Sequence, residues 1–331
     1  MDPVLKAVLL SWDWRLDVIL ILALAGILYS RGWWRLRKRS RNAGKRYQQA
    51  IRTQWRLANG WRLASYYLGL FFIALALLSP IDVLSGQLFM FHMIQHLLLI
   101  MFAPPLLLLA NPMPFILWGL PDSWRHHVGR GLSHLLHRES TARNVIRLVT
   151  ATGVVWLIWV ISLFAWHDPV LYDAALRSEF IHNLEHLMFF VASMLFWWHV
   201  TGAGPRIHKQ LAYGGRIGLL IGAIPPNMLL GVVLAFATTA IYSYYTAVPR
   251  LWGIDVVTDQ RLGGLIMWIP GSMMYIIAVL IFVFRLFGKE KEKAIRARVQ
   301  FMEQRAHDAP ALESSNHEDT EIKTERIIDN E

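Results

Sequence analysis

Cysteine is absent from this sequence of 331 residues. Its absence rules out disulfides and thiolate metal sites, so a bound metal would have to be held by histidine, methionine, carboxylate or backbone oxygen. Charge is also scarce: Asp, Glu, Lys and Arg make up 17% of the chain, where a soluble domain carries about a quarter. Between Arg31 and Arg62 there is no acidic residue at all. No small-residue cleavage site follows the first apolar run, which is therefore read as a retained helix rather than a leader. No repeat of fixed period stands out.

What the sequence has instead is hydrocarbon. Hydrophobic residues account for 55% of it, and the mean hydropathy is +0.37. They are bunched into runs of about 18–25 residues, the length of helix that crosses a bilayer. The expected fold class is all-α, a polytopic membrane protein. Its seven transmembrane helices should cover about residues 16–30, 63–78, 88–110, 145–166, 180–200, 217–236 and 263–286. They form one transmembrane domain, 1–287. The tail, 288–331, turns basic and then acidic (Glu313, Glu318, Asp319, Glu321, Glu325, Glu331) and is expected to be a short basic helix followed by disorder.

The net charge of +10 reads as topology rather than as a nucleic-acid surface. The first loop holds Arg31, Arg35, Arg37, Lys38, Arg39, Arg41, Lys45, Arg46, Arg52, Arg56 and Arg62. Two loops on, Arg125, Arg130, Arg138 and Arg143 follow, then Arg206, Lys209 and Arg216, then Arg285, Lys289, Lys291 and Lys293. The alternate loops are short, with Asp82, then Asp168 and Asp173, then Asp255 and Asp259. The positive-inside rule places the N-terminus outside and the C-terminus in the cytoplasm. Trp12, Trp14, Trp33, Trp34, Trp197 and Trp198 fall at segment ends, as interfacial anchors in membrane lipid do.

Against this background "FHMIQH" (His92, His96) and "EFIHNLEHLMFF" (His182, Glu185, His186) are out of place. Ionisable groups within a membrane are costly unless they turn inward and find partners, and they mark function by default. Each histidine pair is spaced i, i+4 and so projects from one face of its helix. Both helices enter from the outer side, and the helix ending "AWHDP" delivers His167 to that side too. Five histidines should thus share a slab roughly 5–15 Å below the outer interface. Two facing pairs would make a four-nitrogen metal cage or a bis-histidine clamp on haem. The plainer alternative is that each histidine hydrogen-bonds a neighbouring helix.

H-N-L-E-H also matches H-x-x-E-H, the inverted zinc-peptidase pattern, in which a glutamate activates water. Glu185 could instead orient an imidazole. At the start of the seventh helix, "TDQRLGGLIMW" puts Asp259, Gly263 and Met267 at i, i+4 and i+8, a carboxylate, bare backbone and a soft thioether on one face. Met90, Met93, Met188 and Met194 lie close to the histidines in sequence. Pro104 with Pro105, Pro225 with Pro226, and Pro270 are expected to kink three helices. The stretch with His126, His127, His134 and His137 reads as an interfacial amphipathic helix.

The ordered pieces "HMIQHLLLIMFAPPLLLLANP", "WHDPVLYDAAL", "HNLEHLMFFVASMLFWW", "IPPN" and "DQRLGGLIMWIPG" resemble the CtaG family of bacterial cytochrome c oxidase assembly proteins. This is the multi-helix membrane type, not the single-helix copper chaperone of the same name. The resemblance covers roughly residues 10–287. It implies a multi-pass protein of the bacterial inner membrane, needed for the oxidase to acquire its copper B centre.

The combined expectation is a non-enzymatic assembly factor that binds copper and presents it to oxidase subunit I. Periplasmic or extracellular copper donors would supply the ion, and no nucleic acid is a partner. His92, His96, His182 and His186 would be ligands, His167, Asp259 and Met267 would admit or pass on the ion, and Glu185 would orient an imidazole. The rival readings are a haem-binding protein, a zinc hydrolase built on His182, Glu185 and His186, and a copper transporter.

Overall fold

In the computed structural model the described residues are 3–43, 58–137, 139–205 and 207–328. Lys45, Arg46, Arg52, Arg56, Arg138, Arg206 and Glu331 lie outside them. Among the described residues every regular element is helical, as the unbroken apolar runs require. Six helices are long and apolar enough to cross a membrane, and a bent pair makes a seventh span if its halves are counted together. In chain order the spans are α1 (Leu16–Ala43), α2 (Gly60–Leu78), α3 (Phe89–Leu109), α4 (Thr141–Val149 with Thr152–Trp166), α5 (Glu179–Thr201), α6 (Tyr213–Phe236) and α7 (Val256–Ile328).

The chain divides into two compact units, Met1–Val279 and Leu280–Glu331. The first holds every expected site residue. The second is the distal part of α7, where Lys- and Glu-rich sequence favours helix and Arg296 pairs with Glu292 one turn away. The helix continues to Ile328.

The distribution of polarity is the reverse of a soluble fold. On α1, Leu20, Ile21, Leu24 and Ile27 are each about two-thirds exposed (68%, 66%, 58% and 63%), a stripe suited to lipid. His92, Gln95, Glu185, Asn227, Asp259 and Gln260 are buried. Ridges of glycine let the inner helices meet: a Cβ on Gly264 of α7 would lie 2.5 Å from the Ala235 nitrogen and 2.8 Å from the Gly231 carbonyl oxygen of α6.

Pro104 has a specific consequence in α3, whereas α6 and α7 run as single helices through Pro225, Pro226 and Pro270. Pro104 cannot donate to the carbonyl four residues back, at Ile100. The helix passes through a π-helical turn at Leu98–Phe102, and the Ile100 carbonyl accepts the indole N–H of Trp197 from α5 instead, at 3.1 Å. Trp197 is therefore not the interfacial anchor expected; it is 4% exposed and locks α5 to α3. The two halves of α4 are bent by 53° at Thr150–Ala151, and the Thr150 carbonyl accepts from His199 Nε2 at 2.9 Å.

Candidate metal centre

His92 and His182 are each the fourth residue of their helices, α3 and α5, so the two i, i+4 pairs start at matched depth. The helices do face each other. The imidazole centroids of His92 lie 4.3 Å from His96, 5.2 Å from His182 and 6.0 Å from His186, and His96 is 5.3 Å from His186. Glu185 sits among them, fully buried, with Oε2 3.7 Å from His92 Nε2 and Oε1 3.6 Å from His96 Nε2. His92 Nε2 and His96 Nε2 are 2.9 Å apart. Potential ligand atoms of His92, His182 and His186, and of His92, His96 and Glu185, lie within 4.8 Å of one another.

These spacings fit a small cation. Four ligands about 2.0–2.1 Å from a tetrahedral ion are roughly 3.3 Å apart. The separations of 2.9, 3.6 and 3.7 Å bracket that value. Both Glu185 oxygens and both His186 ring nitrogens are buried without a hydrogen-bond partner, as is His182 Nε2. A buried carboxylate and imidazoles left unsatisfied are costly. A cation coordinated among them would supply the missing partner, so the donor set fits a metal.

Around the cluster the loops supply oriented partners. Asp168 caps the helix Pro169–Arg177, accepting from the Val170 and Leu171 amides, and this helix swings Tyr172 over the site. Tyr172 OH is 2.9 Å from His92 Nδ1 and 3.3 Å from Tyr245 OH, which donates to the Ser85 carbonyl at 2.7 Å. The chain of bonds has one consistent direction, because the carbonyl at its end can only accept. His92 Nδ1–H then donates to Tyr172, and the Nε2 lone pair is left for the cluster. Burial holds the Tyr172 and Tyr245 hydroxyls well above the ordinary tyrosine range, so both stay neutral donors.

His167 closes α4 beside the cluster, its ring 6.2 Å from that of His96. Its Nδ1–H donates to the Leu163 carbonyl at 2.8 Å, which fixes the lone pair on Nε2. Tyr242 OH donates to the His167 carbonyl at 3.2 Å. On the other flank Gln95 reaches the Ala76 carbonyl and the Asp82 carboxylate, and burial pushes Asp82 up to about 6.

Residues 27–289 match the family described as cytochrome c oxidase caa3 assembly factor (Caa3_CtaG). The chain belongs to this family. Uncharacterized proteins of Mycobacterium bovis and Mycobacterium tuberculosis are each 26% identical to this chain over 294 residues, 86% of it and 40% of theirs. An uncharacterized protein of Mycobacterium leprae is 26% identical over 251 residues, 73% of this chain and 37% of its own. The chain thus spans about 40% of the length of the curated relatives it matches. No solved structure matches it.

The remaining expected residues divide. Met267 lines a cavity next to His96 and His167. Asp259 is elsewhere: its carboxylate accepts from the Phe89 and Met90 amides at 2.8 and 3.0 Å and pairs with Arg250 at 2.9 Å. It caps the helix that carries His92, and both oxygens are engaged there. Gly263 makes room for the Phe89 ring, which a Cβ would approach to 2.2 Å. Of the methionines, Met93 lines the cavity, Met188 is 43% exposed and Met194 packs in a separate apolar cluster. The helix Asp122–Leu135 buries no residue, and His126 and His127 bond to their own backbone carbonyls. Tyr172, Tyr242 and Tyr245 were not singled out from the sequence, although "WHDPVLYDAAL" contains the first and "YSYYTA" is conspicuously rich in tyrosine.

Proposed function

We propose that this oxidase assembly factor binds a copper ion through His92, His96, His182, His186 and Glu185. The ion is passed to subunit I of the oxidase as the copper B centre forms. One observation carries the reading: four imidazoles and a carboxylate from α3 and α5 converge, all buried except the half-buried His182, with several donor atoms lacking any other partner. Imidazole suits copper in either oxidation state, and a family of oxidase assembly factors supplies a reason for copper to be the cargo. The charge pattern of the loops supports a position for the cluster near the outer face of a bacterial membrane, where extracytoplasmic copper donors would have access.

The rival readings have less support. Axial haem ligation needs a slot for the whole macrocycle beside the imidazoles, and the cavity next to His96 is only about 40 Å³. A hydrolase needs its carboxylate within reach of a substrate, and Glu185 is fully buried. The protein acts as a carrier, not an enzyme. Purified wild type and the double variant His92→Ala/His186→Ala are compared for bound copper and zinc, and oxidase activity is measured in cells carrying each. The variant loses the ion and the cells lose most oxidase activity. Equal metal content and equal oxidase activity would sink the ligand assignment.

A further inference from the structure

Beside the histidine and glutamate cluster lies a cavity of about 40 Å³, lined by Met93, Met101 and Met267 together with His96 and His167. That volume exceeds the roughly 10–15 Å³ that one water needs by the same measure. Three methionines line it from two helices: Met93 and Met101 from α3, and Met267 from α7. The imidazole of His167, 6% exposed, has its lone pair on Nε2 and no hydrogen-bond partner there. His96 Nδ1 is likewise buried and unpartnered. No carboxylate is among the lining residues.

We infer that this cavity is a second metal site, distinct from the carboxylate-bearing cluster and selective for a soft monovalent cation, Cu(I). The inference rests on the copper reading above for the identity of the ion, and on the cavity's own lining for its charge and softness. Thioether and imidazole are neutral ligands, and a divalent ion in an apolar cavity without a counter-charge would be heavily penalised. Thioethers prefer Cu(I) over zinc or other borderline ions. His167 is the committed imidazole, because its Nδ1–H is held by the Leu163 carbonyl and only Nε2 can ligate. His96 borders both sites, but a neutral imidazole has a single lone pair. When it ligates in the cluster through Nε2 it has none for the cavity, so His96 can serve only one ion at a time.

The π-helical turn Leu98–Phe102 fits this arrangement. It places Met101 in a turn one residue wider than an α-helix, directly after His96, and such turns are frequent at functional sites. The cavity therefore lies where α3 departs from regular geometry, against α7.

The test uses the full chain in detergent with two probes, Zn(II) for the cluster and Ag(I), a redox-inert stand-in for Cu(I), for the cavity. Wild type is first loaded with Zn(II) and then titrated with Ag(I) against a competing ligand. One tightly bound Ag(I) with Zn(II) retained is expected. Met93→Leu/Met267→Leu, a near-isosteric change, weakens Ag(I) at least tenfold and leaves Zn(II) in place. Glu185→Gln/His186→Ala loses Zn(II) and keeps Ag(I). Met188→Leu, at an exposed methionine, changes neither. The inference is overturned if the double leucine variant binds Ag(I) as wild type does, if Ag(I) enters only by displacing Zn(II), or if wild type binds no Ag(I). Loss of Zn(II) binding by wild type alone, with methionine-dependent Ag(I) binding intact, would instead overturn the cluster reading and leave the second site standing.

Discussion

Glu185→Gln changes the sign of one effect and the size of another, and the two are separable. Glu185 is fully buried, each oxygen 3.6–3.7 Å from an imidazole nitrogen and without a hydrogen bond. Unit charges about 4 Å apart attract by about 4 kcal/mol at an effective dielectric of about 20. The amide keeps the shape and removes that term. At about 1.4 kcal/mol per decade the affinity for a singly charged ion should fall about a thousandfold, and more for a divalent one. In the metal-free protein the same substitution replaces a buried, unpartnered carboxylate by a neutral amide whose N–H can donate to an imidazole lone pair, which stabilises the fold by about 1–3 kcal/mol.

The assay is a pair of thermal melts of purified protein, with saturating copper and with a chelator, alongside a competition measurement of affinity. At fixed copper concentration a thousandfold weaker site loses about 4 kcal/mol of ligand-linked stabilisation. The Gln variant should therefore melt above wild type with chelator and below it with copper. A purely structural role for Glu185 predicts a shift of one sign in both conditions. If the variant melts lower in both, or holds copper within threefold of wild type, the carboxylate is not a ligand and the electrostatic argument fails.

Two further outcomes test the surroundings of the cluster. Tyr172→Phe removes the partner 2.9 Å from His92 Nδ1, and copper affinity measured by competition should drop by about tenfold with the helical content unchanged. Asp259→Asn should do the opposite: it breaks the pair with Arg250 and weakens the cap on α3, so stability in a thermal melt falls by on the order of 3 kcal/mol while metal stoichiometry is kept.

What could be read in the sequence was whatever helical periodicity carries. His92 with His96, and His182 with His186, share faces because of i, i+4 spacing, and their depth follows from the ends of apolar runs. Glu185 lies one residue before His186, and local spacing does not decide whether it reaches across to α3; the structure brings it to His92 and His96. Tyr172 and Tyr245 were not legible for a different reason. They are 80 and 153 residues from His92 and sit on short connecting elements with no apolar period to orient them. Asp259 misled because a carboxylate at a helix start has two uses, ligand or cap, and only the position of the Phe89 amide, 170 residues away, chooses between them. The same logic applies at Trp197. An indole near a helix end looks like an interfacial anchor until Pro104 is seen to leave the Ile100 carbonyl without its helical donor. A backbone group orphaned in hydrocarbon must be satisfied from another helix, so the proline in α3 and the tryptophan in α5 are one structural device, and the π-turn beside His96 is part of it.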